Sequence, residues 1–335
     1  MSTSTLTTTA RTATVGTLRG PSLVLLRIHR RTLWGVGAAA VAAVACMIAV
    51  ALLADRAVAD FASTGCTLSS DTEACFQPAR NHTDRMLELS RLLTYAGLAL
   101  TTLPAVVAAF VAGPMIAREW ETGSIRLSWT QSASPAAWLT ARLATLAVPV
   151  VGGIVVLSAV FSWSRSRLTY PFPATWEDAT AFAATGTVPV AGALLALALG
   201  ALAGLLLRRT VLAMAAALLA SGLVTVVLGA VRDHLWPTVK ATYPLEGKYP
   251  APHWSHIVEQ GFVTAKGELL PIDTCLGAHL EFEECLARYD GVQNYLHYHP
   301  ASHFWPLQLV ETGILLALAA LAVFAAFRVL RRLHG

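Results

Sequence analysis

Charge is scarce in this sequence: Asp, Glu, Lys and Arg make up 13% of it, against 55% hydrophobic residues. A soluble domain carries roughly 25% charged residues, so a water-soluble globular fold is excluded. Lysine is scarcer still, with three residues, Lys240, Lys248 and Lys266. None stands in the G-x-x-x-x-G-K setting that a P-loop uses to hold the β and γ phosphates of a nucleotide. The chain is therefore not expected to bind ATP that way or to be an enzyme, and it needs no cofactor of its own. No nucleophile–base constellation and no catalytic carboxylate pair is evident. Nor is an internal repeat, which weakens an inverted-repeat carrier. Nucleic acid is not expected as a partner.

What is present is apolar length. Six runs, Trp34 to Ala54, Leu92 to Ala117, Leu139 to Trp163, Gly186 to Leu207, Val211 to Val231 and Phe304 to Phe327, are each long enough to cross a hydrocarbon core of roughly 30 Å as a helix. Run length and Ala/Leu richness exclude a barrel, whose strands would alternate over roughly ten residues. The expected fold class is an all-α polytopic membrane protein of six transmembrane helices in the plasma membrane, in contact with lipid. With six spans both termini share a side. That side holds thirteen arginines against Glu119 and Glu121, while the other holds eleven Lys/Arg against eighteen Asp/Glu. The positive-inside rule makes the termini cytoplasmic.

Residues 1–19 are expected to be a disordered tail rich in Ser and Thr, residues 20–33 an interfacial basic helix, and residues 34–335 the membrane domain. Arg30-Arg31 ahead of an apolar run, with Ala57-Val58-Ala59 behind it, also resembles a twin-arginine signal. Its apolar stretch exceeds the usual 7–15 residues, so it is read as a span. Two external segments follow, 55–91 and 232–303. They hold four of the five cysteines, and an oxidising face favours the local disulfides Cys66–Cys75 and Cys275–Cys285 over cross-pairing or free thiols. Cys46 reads as packing within the first span. Trp236, Trp254 and several X-Pro steps predict folded, irregular structure in the second segment. Leu276 to Tyr289 reads as one short amphipathic helix.

Inside the spans, Gly152-Gly153 and the pair Gly200 and Gly204 allow helices to approach closely, within one chain or across a dimer seam. Pro104 predicts a kink that is either a hinge or a fixed bend. Glu311, with Gln308 and Thr312 on one helical face, is the main charge within the spans. It is a transport or gating candidate by its location, or a structural group reaching back to water or the loop. His297, His299 and His303 invite a metal reading. No Cys or carboxylate completes the set, so no metal is expected, and interfacial histidines are the alternative.

One polar segment interrupts two apolar runs: Ala117-Arg118-Glu119-Trp120-Glu121-Thr122-Gly123-Ser124-Ile125-Arg126-Leu127-Ser128-Trp129-Thr130-Gln131-Ser132-Ala133-Ser134-Pro135, continuing to Trp138, Leu139 and Leu143. Thr122-Gly123 predicts an elbow, Ser124 to Gln131 a short surface helix, and Ser134-Pro135 an N-cap and first helical turn for the third span. A plain interfacial turn is the alternative. The segment resembles the permease subunits of type-2 ABC exporters, in the branch common in high-GC actinobacteria, which carry an E-x-E-x-G-[TS]-x-R-L-x-W-T-Q-S pattern. The resemblance implies a coupling helix seated on a separate cytoplasmic ABC ATPase, with ATP and Mg bound by that partner. Glu119, Glu121, Gly123, Arg126 and Trp129 would carry the contact. It further implies a homodimer, or a pair with a similar chain, that exports an amphipathic or lipid-like compound. Two other readings stay open: a membrane sensor or accessory subunit whose external loops bind a ligand or partner, and an ion-coupled carrier dependent on Glu311.

Overall fold

The computed structural model describes residues 30–70, 72–123, 134–277 and 281–333. The interfacial helix and tail before residue 30, and the segment 124–133 with Arg126 and Trp129, lie outside the described residues. The chain divides into two units, Met1–Val41 and Ala42–Gly335. The architecture is mostly helical, and among the described residues six helices are long and apolar enough to cross a membrane.

The first two spans are longer than their apolar runs. Helix α1 is Arg30–Ser63 and α2 is Glu73–Val107. The expected loop 55–91 is therefore mostly helix, closed by a short turn that the Cys66–Cys75 disulfide ties to the start of α2. The extension is amphipathic, with His82, Met86, Leu89 and Leu93 buried at helical spacing among charged neighbours. A test of hydropathy overlooks such a stretch, because its mean is polar while its buried stripe is not. Met47, Val50, Ala54 and Ala57 of α1 meet that stripe. Ser164 locks it further by donating from Oγ to the Met47 carbonyl at 2.9 Å. Cys46 is exposed and free, so it does not serve packing within this chain.

The helix does not break at Pro104. It passes into a π-helical turn, Ala108–Ala112, and resumes as α3, Gly113–Glu121. Proline removes one backbone donor and crowds the carbonyl four residues earlier, and a wider turn downstream is one way a helix accommodates that. The third span, α4 (Pro135–Arg165), starts as expected: Ser134 Oγ accepts from Ala137 N at 3.2 Å, with Pro135 in the first turn. A short helix, α5 (Ala179–Ala184), capped by Asp178, leads to α6 (Val188–Leu207) and α7 (Thr210–Val231).

Helix α6 is the centre of the bundle. It is apolar on all sides, as a helix must be when other helices surround it. Residues from Val188 to Leu205 are buried around its whole circumference. Its glycines set the spacing. A Cβ at Gly200 would fall 2.4 Å from the Ala112 Cβ and 2.8 Å from the Ala108 carbonyl oxygen. One at Gly204 would fall 2.9 Å from the Ile116 Cβ. The pair thus serves packing within the chain, against the π turn and α3. Gly152 and Gly153 have nothing within 4 Å of a built Cβ.

The segment after α7 is regular rather than irregular. It forms a four-stranded antiparallel sheet in the order β1-β4-β2-β3, from β1 (Val239–Pro244), β2 (His256–Thr264), β3 (Leu269–Pro271) and β4 (Gly291–His299). Alternation along β4 is hidden in the sequence, since Asn294, Tyr295, Leu296, Tyr298 and His299 are all buried. Both faces of this strand are covered, so no period of two marks it. Two short helices, α8 (Asp273–Gly277) and α9 (Phe282–Arg288), replace the single helix expected there. The Cys275–Cys285 disulfide joins them to each other and packs on Phe262. The sixth span, α10 (Phe304–Arg332), follows and lies along α6.

Replacing Gly200 by Val forces backbone apart at the tightest contact in the bundle. Overpacking of this kind costs about 1–3 kcal/mol. Thermal unfolding of the purified protein in detergent should show a clear drop for Gly200→Val. Gly222→Ala should leave the midpoint unchanged or raise it, because nothing lies within 4 Å of that position.

Candidate functional site

Two polar clusters stand out on the apolar bundle, one at each end of α7. The first is the elbow. Helix α3 ends at Glu121, with Thr122 as its C-cap and Gly123 in the left-handed region at φ 70°. Glu119 forms a close ion pair with Arg142, about two turns inside α4, and so binds the second span to the third. Glu121 reaches another helix: its Oε1 accepts from Thr210 N at 2.9 Å, and its Oε2 accepts from the Thr210 hydroxyl. Arg209, the residue at the N-cap of α7, supplies no side-chain cap. A carboxylate borrowed from α3 does that work, where the helix dipole favours negative charge. The Arg208 guanidinium lies 4.9 Å over the Trp120 ring. Arg208 itself sits at φ 52° and ends α6. Beneath the elbow, Ile116, Leu139, Leu205, Ala326 and Leu330 form one apolar cluster. Four spans thus meet under it.

The second cluster lies at the sheet end. Glu311 is 3% exposed and pairs with Arg232, which donates from Nε to Oε2 at 3.0 Å and from Nη2 to Oε1 at 3.3 Å. The same guanidinium carbon sits 4.3 Å from the Phe182 ring centroid. Glu311 is therefore held by the first residue after α7 and does not reach bulk water. Gln308, fully buried, accepts at Oε1 from the backbone N–H groups of Thr187 and Val188 and donates to the Phe182 carbonyl at 2.8 Å. It thus caps the start of α6 from α10. Gly186, at φ 71°, leaves room for the Gln308 amide, whose oxygen lies 2.6 Å from where a Cβ would be. Thr312 bonds Thr187 through their hydroxyls at 2.7 Å. Pro104 lines the same region from α2.

Sequence reasoning singled out Glu119, Glu121, Glu311 and Gln308 but missed Arg142, Thr210, Arg208 and Arg232 beside them. Arg232 carried a signal. An arginine directly at a span end on the side poor in positive charge, with one acid in another span, points to a pair.

The histidines are divided among separate partners. His297 Nδ1 lies 3.1 Å from a Glu259 oxygen, His256 Nε2 lies 3.0 Å from Asp233, and His299 Nδ1 lies 3.0 Å from His303 Nδ1. Tyr295 donates to Glu259 at 2.9 Å, and burial together with that carboxylate holds its phenol well above the usual tyrosine range. Among the described residues no three His, Cys, Asp or Glu side chains converge on a metal position.

Removing one partner of a buried ion pair costs about 3–5 kcal/mol, whereas replacing both with apolar groups is often near neutral. Arg232→Ala is therefore expected to lower the thermal midpoint strongly. The double variant Arg232→Met with Glu311→Leu should recover most of the loss in the same unfolding assay.

Residues 36–232, more than half of the chain, match the family model described as ABC-2 membrane transporter related. The match takes in the first five spans and both polar clusters as far as Arg232. No curated protein and no solved structure matches the chain. Six spans, an elbow between the second and third, and this match place the chain in the ABC-2 membrane transporter related family, as a multi-pass membrane subunit.

Proposed function

We propose that this chain is the permease subunit of an ATP-driven ABC transporter that exports an amphipathic compound. A separate cytoplasmic ABC ATPase would bind ATP and Mg, and a second permease chain would complete the transporter. The elbow carries the reading. It is the polar segment within the family match, and its base is tied to three other spans through Glu119–Arg142, Glu121–Thr210 and Arg208–Trp120. A surface that takes up force from a partner needs such a rigid footing, since a loose loop would absorb the displacement instead. Glu119 and Glu121 are engaged inside the chain, so they act as the footing. Arg126 and Trp129, in the adjoining segment, are the side chains proposed to meet the ATPase. Nucleotide-driven closure then shifts the spans only if the ATPase favours one of their arrangements.

A second reading is favoured by the sheet 239–299, which lies beyond the family match: a sensor or accessory subunit that binds a ligand outside the membrane without moving it. Transport into inverted vesicles separates the two.

Buried aromatic anchors at interfaces contribute about 2 kcal/mol or more, at least tenfold in affinity. Trp129→Ala is accordingly expected to weaken capture of a co-expressed ABC ATPase by about that factor, and to reduce stimulation of its hydrolysis. Capture and stimulation equal to wild type would overturn the coupling role.

A further inference from the structure

A cavity of about 170 Å³ opens between α2, α5, α6, α7 and α10, next to the Arg232–Glu311 pair. Its long walls are apolar, formed by Leu100, Leu195, Val224, Leu228 and Leu315. One end carries the ion pair. The other reaches Ser221, three turns along α7 and roughly 16 Å away at 1.5 Å per residue.

Size and shape decide what fits. Pockets for drug-sized molecules run to roughly 300–1,000 Å³, well above this one. An apolar cavity of roughly 150 Å³ takes a molecule the size of benzene. Spread over the length of three helical turns, a similar volume is a narrow slot. Such a shape suits one hydrocarbon chain better than a fused ring system.

The polar end decides the headgroup. The hydroxyls of Thr101, Thr180 and Thr225 donate to the chain's own Gly97, Asp178 and Ser221. With Ser221 at the opposite end, recognition at this end falls to Arg232, whose guanidinium carries five N–H donors and spends two groups, Nε and Nη2, on Glu311. The two charges already compensate each other. A head with net charge would have to break that pair and leave one partner buried alone, which is strongly unfavourable. An uncharged or internally neutral head leaves it whole.

We propose that this slot binds the single alkyl chain of an amphiphile, with its net-neutral polar end against Arg232 and Glu311. The proposal deepens the export reading by naming the substrate class, and rests on that reading only for transport. Occupancy concerns this chain alone.

The test uses the purified full chain and an unbranched alkyl probe with a hydroxyl head and a terminal photoreactive diazirine. Gly192 lines the slot, and a Cβ there would sit 3.5 Å from Pro104 Cγ, an ordinary contact. Gly192→Ala should therefore fold and label as wild type. Gly192→Leu fills the slot, and labelling of peptides spanning Ser221–Arg232 should fall about tenfold, as expected when contact for two methylenes is lost. If Gly192→Leu does not assemble, Val224→Phe on the facing wall should give the same fall. The same chain with a sulfonate or trimethylammonium head should label at least about tenfold less than the alcohol, because seating it breaks the Arg232–Glu311 pair.

Labelling of those peptides that is indifferent to wall filling, or equal for charged and neutral heads, would overturn the proposal. A phospholipid with the diazirine in one acyl chain separates the sources. Its labelling of the slot means a chain drawn from the bilayer, and its failure beside a labelling alcohol means a free amphiphile. Slot labelling without ATPase capture would remove the export reading and keep this one, and the converse result would do the reverse.

Discussion

The close approach of α6 to the π turn and α3 is the constraint on which the rest of the helical bundle depends. Within a bilayer, lipid tails are as apolar as leucine, so burial of apolar surface does little to bring spans together. What assembles them is close packing and a few internal hydrogen bonds. Gly200 and Gly204 let the α6 backbone reach Ala108, Ala112 and Gly113 without an intervening side chain. The π turn after Pro104 shapes the other side of that contact. With α6 seated there, Ala-rich faces of α7 and α10 close over its remaining sides.

The polar groups then attach to the ends of this apolar pillar, where they fix orientation at modest energetic cost. At the start of α6, Gln308 satisfies two backbone donors that a helix leaves open. At the finish, Arg208 takes the left-handed turn and lies on Trp120. Helix α7 has the same arrangement. Its first turn is held by Glu121 from the elbow, and Arg232, directly after its last turn, is held by Glu311. A helix of 22 residues is about 33 Å long and stiff along its axis. The elbow and the ion pair are therefore attached to opposite ends of one rigid element. That is a statement about geometry, and it sets what displacement at either end must disturb.

The six spans were legible from run length alone, because nothing but a membrane accounts for repeated apolar stretches of that size. The cap at Ser134 and the stop at Thr122-Gly123 were legible from local chemistry, and the structure shows both. Amphipathic continuations were not: residues 73–91 average too polar for a hydropathy test, although His82, Met86 and Leu89 keep the helical stripe. The sheet was missed for a related reason. Strand β4 is covered on both faces, and Gln293, His297 and His299 break up its apolar content. At the elbow, sequence located the acids but not what they hold, since Arg142 and Thr210 lie 23 and 89 residues further along the chain. Spacing within a motif carries no information about contacts made across such distances.

The family match ends at Arg232, yet the structure does not divide there. Leu307, Leu315, Ala319 and Ala322 of α10 cover α6, and Gln308 caps it. Without α10, the backbone N–H groups of Thr187 and Val188 would lose their acceptor. Arg232 would lose Glu311 and remain as an isolated charge at the membrane boundary. The matched stretch is thus a fold with one open side, and α10 is the element that completes it. The sheet between them is a different matter. It is inserted at a point where α7 has ended and α10 has not begun, with its own core around Phe262 and the Cys275–Cys285 disulfide. The helices that flank it are joined directly at its base. The Arg232–Glu311 pair supplies that contact, joining the residue that enters the insertion to the span that follows it.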